Sequence, residues 1–197
     1  MVNNNIFTYL IFFSALSNIS CQSIKHENSS FPMGSVDDIR YAQKLWSTLE
    51  SELLVGSNAL PNKPFFGGAE PHGMILELAY KEIQVNNHTG FVVVKKNYNG
   101  PDVSVSSVEA DRSKFLQSMT VMYQREAGYD EDNKNWFWVK YKPGGKVETK
   151  VLKGNGIALA GRVIKGKTPE DNGGCIYCHR SAGGGDYIFY PEINVPK

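Results

Sequence analysis

The sequence predicts an α+β protein that is mainly β, with an antiparallel sheet of about five strands, an N-terminal helix and a C-terminal segment that contains cysteine. Five strand-like segments follow one another along the chain, and a single amphipathic helical pattern precedes them. Apolar residues make up 41% and charged residues 21% of the 197 residues, which is a globular composition. We therefore expect one domain with one hydrophobic core.

The helical pattern begins after Ser35. Ser35 is followed three residues later by Asp38, which is the spacing of a capping box at a helix N-terminus. Apolar residues then recur at helical spacing as far as a predicted stop at Gly56, namely Ile39, Ala42, Leu45, Trp46, Leu49 and Leu53. This pattern predicts an amphipathic helix with one apolar face.

The rest of the chain has the character of strands and turns. Pro61 to Gly73 is rich in proline and glycine and predicts a shaped loop. The predicted strands after it are Met74–Tyr80, Phe91–Lys96, Val103–Val108, Leu116–Gln124 and Trp136–Tyr141. Lys146–Leu152 is predicted to pair with the last of them through a Gly-Gly turn. Consecutive strands of this kind favour antiparallel pairing.

The second predicted strand has the pattern of a central strand. One face of this strand carries Phe91, Val93 and Lys95. The other face carries Val92, Val94 and Lys96, so both faces are apolar until the strand ends. Lys95 then leaves from the same face as Phe91 and Val93.

Residues 1–20 have the character of a signal peptide. The mostly apolar run from Ile6 to Ile19 is shorter than the roughly 20 residues that a membrane-spanning helix needs. Cys21 follows this run after a single residue, Ser20, at the position where a lipoprotein signal places its acylated cysteine. Cleavage near Ser17 or Ser20 without lipidation is the alternative. Residues 21–35 are polar and predict a tether, and residues 36–197 form the domain. We expect a periplasmic or cell-envelope protein, lipid-anchored through Cys21 in the first case.

Charge and composition exclude two classes of protein. Lys and Arg number 21 against 20 Asp and Glu, so no basic surplus exists to neutralise a phosphate backbone, and we expect no nucleic-acid partner. The sequence contains no second apolar run long enough to span a bilayer, which excludes a polytopic membrane protein.

A Cys-x-x-Cys-His motif near the C-terminus carries the chemistry. Cys175 and Cys178 lie three residues apart, and His179 follows directly. This spacing is typical of c-type haem attachment, in which two thiols add to the vinyl groups of one porphyrin and the adjacent imidazole binds the iron. The motif predicts one covalently bound haem c with His179 as an iron ligand.

Three other interpretations of the two cysteines remain open. A zinc site needs four ligands, and the chain has no second paired motif to complete the set. A redox dithiol normally lies where an early strand turns into a helix, whereas this pair lies late in the chain. A disulfide between Cys175 and Cys178 closes a tight, strained loop.

The region from Pro71 to Tyr190 resembles the cytochrome P-460 family in the order and spacing of its motifs. The motifs are Pro71-His72-Gly73, Gly90-Phe91-Val92-Val93-Val94-Lys95, Thr120-Val121-Met122 with Gly128-Tyr129, Trp136-Phe137-Trp138, Gly174-Cys175-Ile176-Tyr177-Cys178-His179 and Gly185-Asp186-Tyr187-Ile188-Phe189. The resemblance implies a β-sheet protein, often a homodimer, with a c-type haem and a proximal histidine. It implies either oxidation of hydroxylamine or nitric oxide, or binding of small gases as in cytochromes c′-β.

Two departures from the family pattern concern the chemistry. Where hydroxylamine-oxidising members have an arginine near the haem on the early strand, this chain has His72, Gly73 and Met74. Many relatives have a glutamate after the lysine of the central strand, and this chain has Lys96.

The resemblance places Lys95 where cytochrome P-460 enzymes join a lysine covalently to the porphyrin edge. We therefore regard Lys95 as a cofactor-binding and catalytic candidate; the alternative is that Lys95 and Lys96 end the strand and extend to solvent. His72, in the shaped loop, is the second catalytic candidate because an imidazole can donate to a bound ligand; the alternative is a histidine satisfied by loop backbone.

Further candidates surround the iron. Met74, Met119 and Met122 are potential sixth ligands, although methionine in a strand usually fills core space. Asp186 is expected either to orient the haem or the imidazole, or to cap a turn. The aromatic residues Trp136, Trp138 and Phe189 are expected to pack in the core or against the haem.

The sequence thus predicts a cytochrome P-460-like haem domain that binds, and as an enzyme oxidises, a small nitrogen compound at an open iron site. The alternative is a protein that binds a diatomic gas or transfers electrons without catalysis. The expected partners are a small nitrogen compound or diatomic gas as the ligand and a redox partner protein that exchanges electrons with the haem.

Overall fold

The computed structural model describes residues 32–67, 71–152, 154–163 and 175–189. Within these ranges the protein is mainly β, with a six-stranded antiparallel sheet, a small two-stranded sheet and a few short helices besides the N-terminal one. The helices are α1 (Val36–Ser51), α2 (Val105–Ala110), α3 (Arg112–Phe115) and α4 (Cys175–His179). The strands are β1 (Phe65–Phe66), β2 (Ile75–Val85), β3 (His88–Tyr98), β4 (Leu116–Gln124), β5 (Trp136–Tyr141), β6 (Thr149–Leu152), β7 (Asn155–Ala158) and β8 (Ala160–Gly161). The predicted fold class is confirmed.

The predicted capping box starts α1. The Ser35 side chain accepts a hydrogen bond from the Asp38 N–H at 3.0 Å, and the Asp38 carboxylate accepts from the Ser35 N–H at 3.1 Å. The helix ends at Ser51, before the predicted stop at Gly56, and Leu53 lies beyond it with a left-handed backbone. Its apolar face packs on the sheet through Ala42, Leu45, Trp46 and Leu49.

The main sheet has the order β1-β2-β3-β4-β5-β8, so β3 is a central strand as its pattern predicts. The long hairpin of β2 and β3 closes over the two-residue turn Asn86-Asn87, in which Asn86 has a positive φ of 55°. The predicted bounds of β4 and β5 agree with the structure, and β2 and β3 are each longer than predicted. The two-residue edge strands β1 and β8 were not predicted.

The segment Val103–Val108 was predicted as a strand, and this prediction is wrong. Ser104 caps α2 by accepting from the Ser107 N–H at 3.1 Å, and the Ser107 hydroxyl accepts from the Ser104 N–H at 2.8 Å. Only Val108 is fully buried, beneath this short helix. A reciprocal serine cap therefore overrides the local alternation of valine and serine.

Lys146–Leu152 pairs with β5 only in part. Tyr141 and Val147 form an isolated antiparallel bridge, and β6 then turns away to pair with β7 in the separate two-stranded sheet.

The two faces of the main sheet are covered by different parts of the chain. One face packs against α1 and, at one end, against α2 and α3. The other, here called the C-terminal face, is covered by the segment from Cys175 to Ile188 and contributes Phe91, Val93, Met122, Trp136 and Trp138 to a second apolar cluster. Alternation along β3 places Lys95 and Asn97 on this C-terminal face.

The structure contradicts the interpretation in which Lys96 ends the strand and extends to solvent. β3 continues to Tyr98, and Lys96 is buried on the face opposite Lys95. Its Nζ lies 3.6 Å from a carboxylate oxygen of Glu77, its cross-strand neighbour.

The residues predicted as signal peptide and most of the predicted tether, including Cys21, lie outside the described residues. Within the described part of the chain, none of the helices has the length and apolar character needed to cross a membrane.

Candidate functional site

The Cys-x-x-Cys-His motif forms the five-residue helix α4. Cys175 is partly buried and Cys178 is exposed, and both are free thiols in the structure. Burial raises the pKa of the Cys175 thiol, so the neutral thiol is favoured there. His179, the last residue of α4, is 9% exposed and lies against the C-terminal face.

The backbone carbonyl of Tyr187 orients the His179 ring. His179 Nδ1–H donates a hydrogen bond to this oxygen at 2.6 Å, so Nδ1 carries the proton and Nε2 has the free lone pair. Tyr187 has a left-handed backbone with φ of 72°, and the Asp186 carboxylate accepts from the Ile188 N–H at 3.0 Å in the same turn. Of the two predicted roles for Asp186, the structure therefore shows the turn cap.

Among the described residues, three aromatic rings lie near His179. The centroids lie 5.1 Å away for Trp138, 5.5 Å for Phe189 and 6.3 Å for His72. Trp138 is buried, whereas Phe189 is 49% exposed. His72, the second catalytic candidate, thus lies beside the predicted iron ligand, although it precedes that ligand by about 100 residues in the chain.

His72 is held by a side chain that the sequence analysis did not single out. Its Nδ1–H donates to Asn97 Oδ1 at 3.1 Å, and the Asn97 amide in turn lies within 3.3 Å of the Ser118 hydroxyl. The alternative in which loop backbone satisfies His72 is therefore not what the structure shows. Asn97 follows Lys95 by two residues, so strand alternation places both on the C-terminal face. This alternation could have identified Asn97 as a site residue from the sequence.

His72 is neutral near pH 7. Burial, followed by the positive charge of Lys95, lowers its pKa to about 4. Burial also lowers the pKa of His179, and Lys95 contributes in the same direction. Both imidazoles therefore present an unprotonated Nε2, which is the form that can bind a metal or accept a proton.

Lys95 lies on the C-terminal face between Leu78 of β2 and Thr120 of β4. Burial lowers the pKa of Lys95, and the nearby Cys175 opposes this shift. The positive charge of Lys95 acts to lower the pKa of Cys175, of His72 and of His179. Lys95 thus lies close enough to Cys175, His72 and His179 to affect their pKa values.

The three methionines named as potential sixth ligands lie in different environments. Met74 is 44% exposed, Met119 is buried on the α1 side of the sheet, and Met122 packs in the cluster of the C-terminal face. Of the two buried methionines, Met122 is therefore the one that lies on the C-terminal face with the candidate site.

The donor set fits a c-type haem. Such a haem needs two thiols and an imidazole from one short segment, and α4 supplies two free thiols and a histidine with Nε2 unoccupied. Among the described residues, no group of three or more His, Cys, Asp or Glu side chains is arranged to hold a metal ion by itself.

Comparison of the chain with protein-family models, with curated proteins and with solved structures finds no match.

Proposed function

We propose that the chain is an exported mono-haem c-type cytochrome of the cytochrome P-460 type, which binds and oxidises a small nitrogen compound such as hydroxylamine or nitric oxide. The observation that carries the proposal is the helix α4, in which two free thiols precede a histidine whose Nδ1–H is held by the Tyr187 carbonyl. The oriented Nε2 of His179 is what an axial iron ligand requires.

Each residue of the site has a stated task in this proposal. Cys175 and Cys178 would hold the haem through thioether bonds, and His179 Nε2 would bind its iron. The haem, when bound, supplies one-electron redox chemistry and a position for a small ligand. His72 is neutral and carries its ring proton on Nδ1, so its Nε2 could accept a hydrogen bond from a hydroxylamine bound nearby, rather than donate one as the sequence analysis expected. Its pKa of about 4 makes it a weak proton acceptor near pH 7.

The second candidate function is binding of a diatomic gas without catalysis. The apolar cluster on the C-terminal face favours it, because Phe91, Val93 and Met122 provide no hydrogen-bonding groups to position a substrate. The spectrum of the reduced protein separates both functions from electron transfer. Five-coordinate high-spin iron agrees with an open site, whereas low-spin iron with a sulfur ligand indicates an electron carrier.

The proposal includes a compartment and partners. Attachment of haem c takes place after export, so we place the protein in the periplasm or cell envelope, with a lipid anchor at Cys21. A redox partner protein is needed to remove electrons from the iron, and the resemblance to the cytochrome P-460 family suggests a homodimer.

We expect protein expressed with c-type maturation machinery to gain the mass of one haem that resists acid-organic extraction. Two thioether bonds join the porphyrin to the chain in this proposal, and such bonds survive conditions that release ligated haem. Mass spectrometry of the intact mature protein is the measurement. The double variant Cys175→Ala/Cys178→Ala is the control and should release any haem it binds; wild-type protein that also releases its haem would contradict the proposal.

We expect Lys95 to form a third covalent link to the porphyrin once the protein has reacted with peroxide. In that reaction a lysine N–H and a porphyrin C–H are replaced by an N–C bond, and the two electrons and two protons reduce peroxide to water. Burial favours the neutral, nucleophilic amine of Lys95. Tryptic digestion should show the Lys95 peptide migrating with the haem peptide.

Lys140 provides the matched control for this link. It lies on the C-terminal face in the same cross-strand row as Lys95, separated from it by Thr120, and pairs with Glu148 at 3.2 Å. We expect Lys95→Ala to abolish the link and Lys140→Ala to leave it. Clean separation of the Lys95 and haem peptides in oxidised wild-type protein would favour gas binding over the enzyme.

A further inference from the structure

Three buried polar side-chain atoms have no hydrogen-bond partner within the described ranges, namely Tyr41 Oη, Tyr129 Oη and Trp138 Nε1. The rings of both tyrosines contact the Arg125 guanidinium, whose carbon is 3.8 Å from the Tyr41 centroid and 4.4 Å from the Tyr129 centroid. Trp138 alone of the three lies in the cluster of the C-terminal face, with its ring 5.1 Å from that of His179.

The neighbouring tryptophan on the same face, Trp136, is buried and its indole N–H has a hydrogen-bond acceptor within the chain. Trp136 is two residues from Trp138 on β5, and its Nε1–H donates to the Asp186 carbonyl at 3.1 Å. Trp136 is 1% and Trp138 4% exposed, so the two indoles are similarly buried. A buried N–H without an acceptor lowers the stability of the fold, and native proteins rarely leave one unpaired.

The surroundings of Trp138 favour an anionic acceptor. Lys95 and Lys140 lie in the adjacent cross-strand row of the same face. Lys140 pairs with Glu148, whereas no carboxylate among the described residues forms a salt bridge with Lys95. The face thus provides an indole N–H and, in the adjacent row, the amino groups of two lysines, which donate hydrogen bonds in either protonation state. A carboxylate, which only accepts, would suit these donors.

We propose that the Trp138 indole N–H donates a hydrogen bond to a propionate carboxylate of the bound haem, which makes Trp138 a positioning residue for the cofactor. This inference rests on the proposed function, because it requires a haem attached at Cys175 and Cys178. It assigns to Trp138 a task that Trp136 does not have, since the Trp136 N–H is used by the Asp186 carbonyl.

The test compares Trp138→Phe with Trp136→Phe in fully matured protein. Both variants remove one indole N–H and keep an aromatic ring at a buried position. We expect Trp138→Phe to shift the propionate bending modes in the Soret-excited resonance Raman spectrum and to lower the reduction potential, because a carboxylate without its donor has more negative charge near the iron and stabilises the ferric state. Trp136→Phe should leave the propionate modes in place.

A measurement on wild-type protein covers the case in which Trp138→Phe does not fold. The chain has three tryptophans, so the diamagnetic carbonyl complex of the reduced protein gives three indole N–H signals. We expect one of them to show a nuclear Overhauser effect to the propionate methylene protons.

Different outcomes separate the failure of this inference from the failure of the proposed function. Absence of covalent haem in wild-type protein overturns the proposed function. Unchanged propionate modes in folded, haem-containing Trp138→Phe, together with a shifted iron–ligand stretch in the nitric oxide complex, would show that the indole serves the iron ligand and would overturn the inference alone. The lack of any indole-to-propionate effect in wild-type protein overturns it as well.

Discussion

We expect His179→Gly to lose the imidazole-ligated haem spectrum and the turnover of hydroxylamine in whatever fraction of the protein still carries haem. His179 is the histidine whose Nε2 the Tyr187 carbonyl leaves free and oriented. Changes to groups that merely orient a ligand cost about 10–100-fold in metal affinity or activity, so removal of the ligand itself should cost more. Absorption spectroscopy and steady-state turnover are the measurements.

Chemical rescue and a control variant make this prediction specific. Added imidazole should enter the space left by the side chain and restore the spectrum, since it supplies the same nitrogen ligand. His88→Gly is the control, because His88 lies on the face of β3 opposite the candidate site. Its Nε2–H donates a hydrogen bond to the Gln124 carbonyl at 3.1 Å. A His179→Gly spectrum that equals the wild-type spectrum would show that another residue binds the iron.

We expect Glu77→Leu to lower the free energy of unfolding by about 3–5 kcal/mol, the cost of removing one partner of a buried ion pair. Glu77 is 1% exposed; its carboxylate accepts from the Tyr98 hydroxyl at 2.8 Å and from Arg112 Nε at 2.7 Å, and lies 3.6 Å from Lys96 Nζ. Leucine leaves the Lys96 ammonium buried without its anion, whereas Arg112 is about one-third exposed and can be hydrated. Urea unfolding followed by tryptophan fluorescence measures the loss.

A second substitution and an exposed pair test the cause. Glu77→Leu/Lys96→Met should recover much of the lost stability, because it removes the unpaired Lys96 ammonium and keeps a long apolar side chain at position 96. Glu52→Leu, which breaks the exposed pair with Lys81, should cost about 0–1 kcal/mol. A Glu77→Leu loss as small as that of Glu52→Leu would mean that solvent reaches the Lys96 ammonium.

Local sequence determined those parts of the protein in which neighbouring residues suffice. The reciprocal Ser35 and Asp38 cap positions the start of α1, and the alternation of large apolar residues sets the bounds of β4 and β5. The Cys175-to-His179 spacing brings two thiols and an imidazole together within one short helix, whatever the rest of the fold. Residues two to four positions apart decide these features, through alternation in the strands and through helical spacing in the cap and the motif, so they are visible in the sequence.

Tertiary structure decided what depends on strand register and on segments far apart in the chain. The Glu77–Lys96 pair exists because β2 and β3 align these two residues, and His72 meets Asn97 and His179 only after the sheet has formed. The two-residue strands β1 and β8 are too short to carry a periodic pattern, so only their pairing partners define them. The Trp-x-Trp pattern does not distinguish the two indoles. They differ because the Trp136 N–H donates to the carbonyl of Asp186, 50 residues away in the chain, whereas the Trp138 N–H has no partner among the described residues.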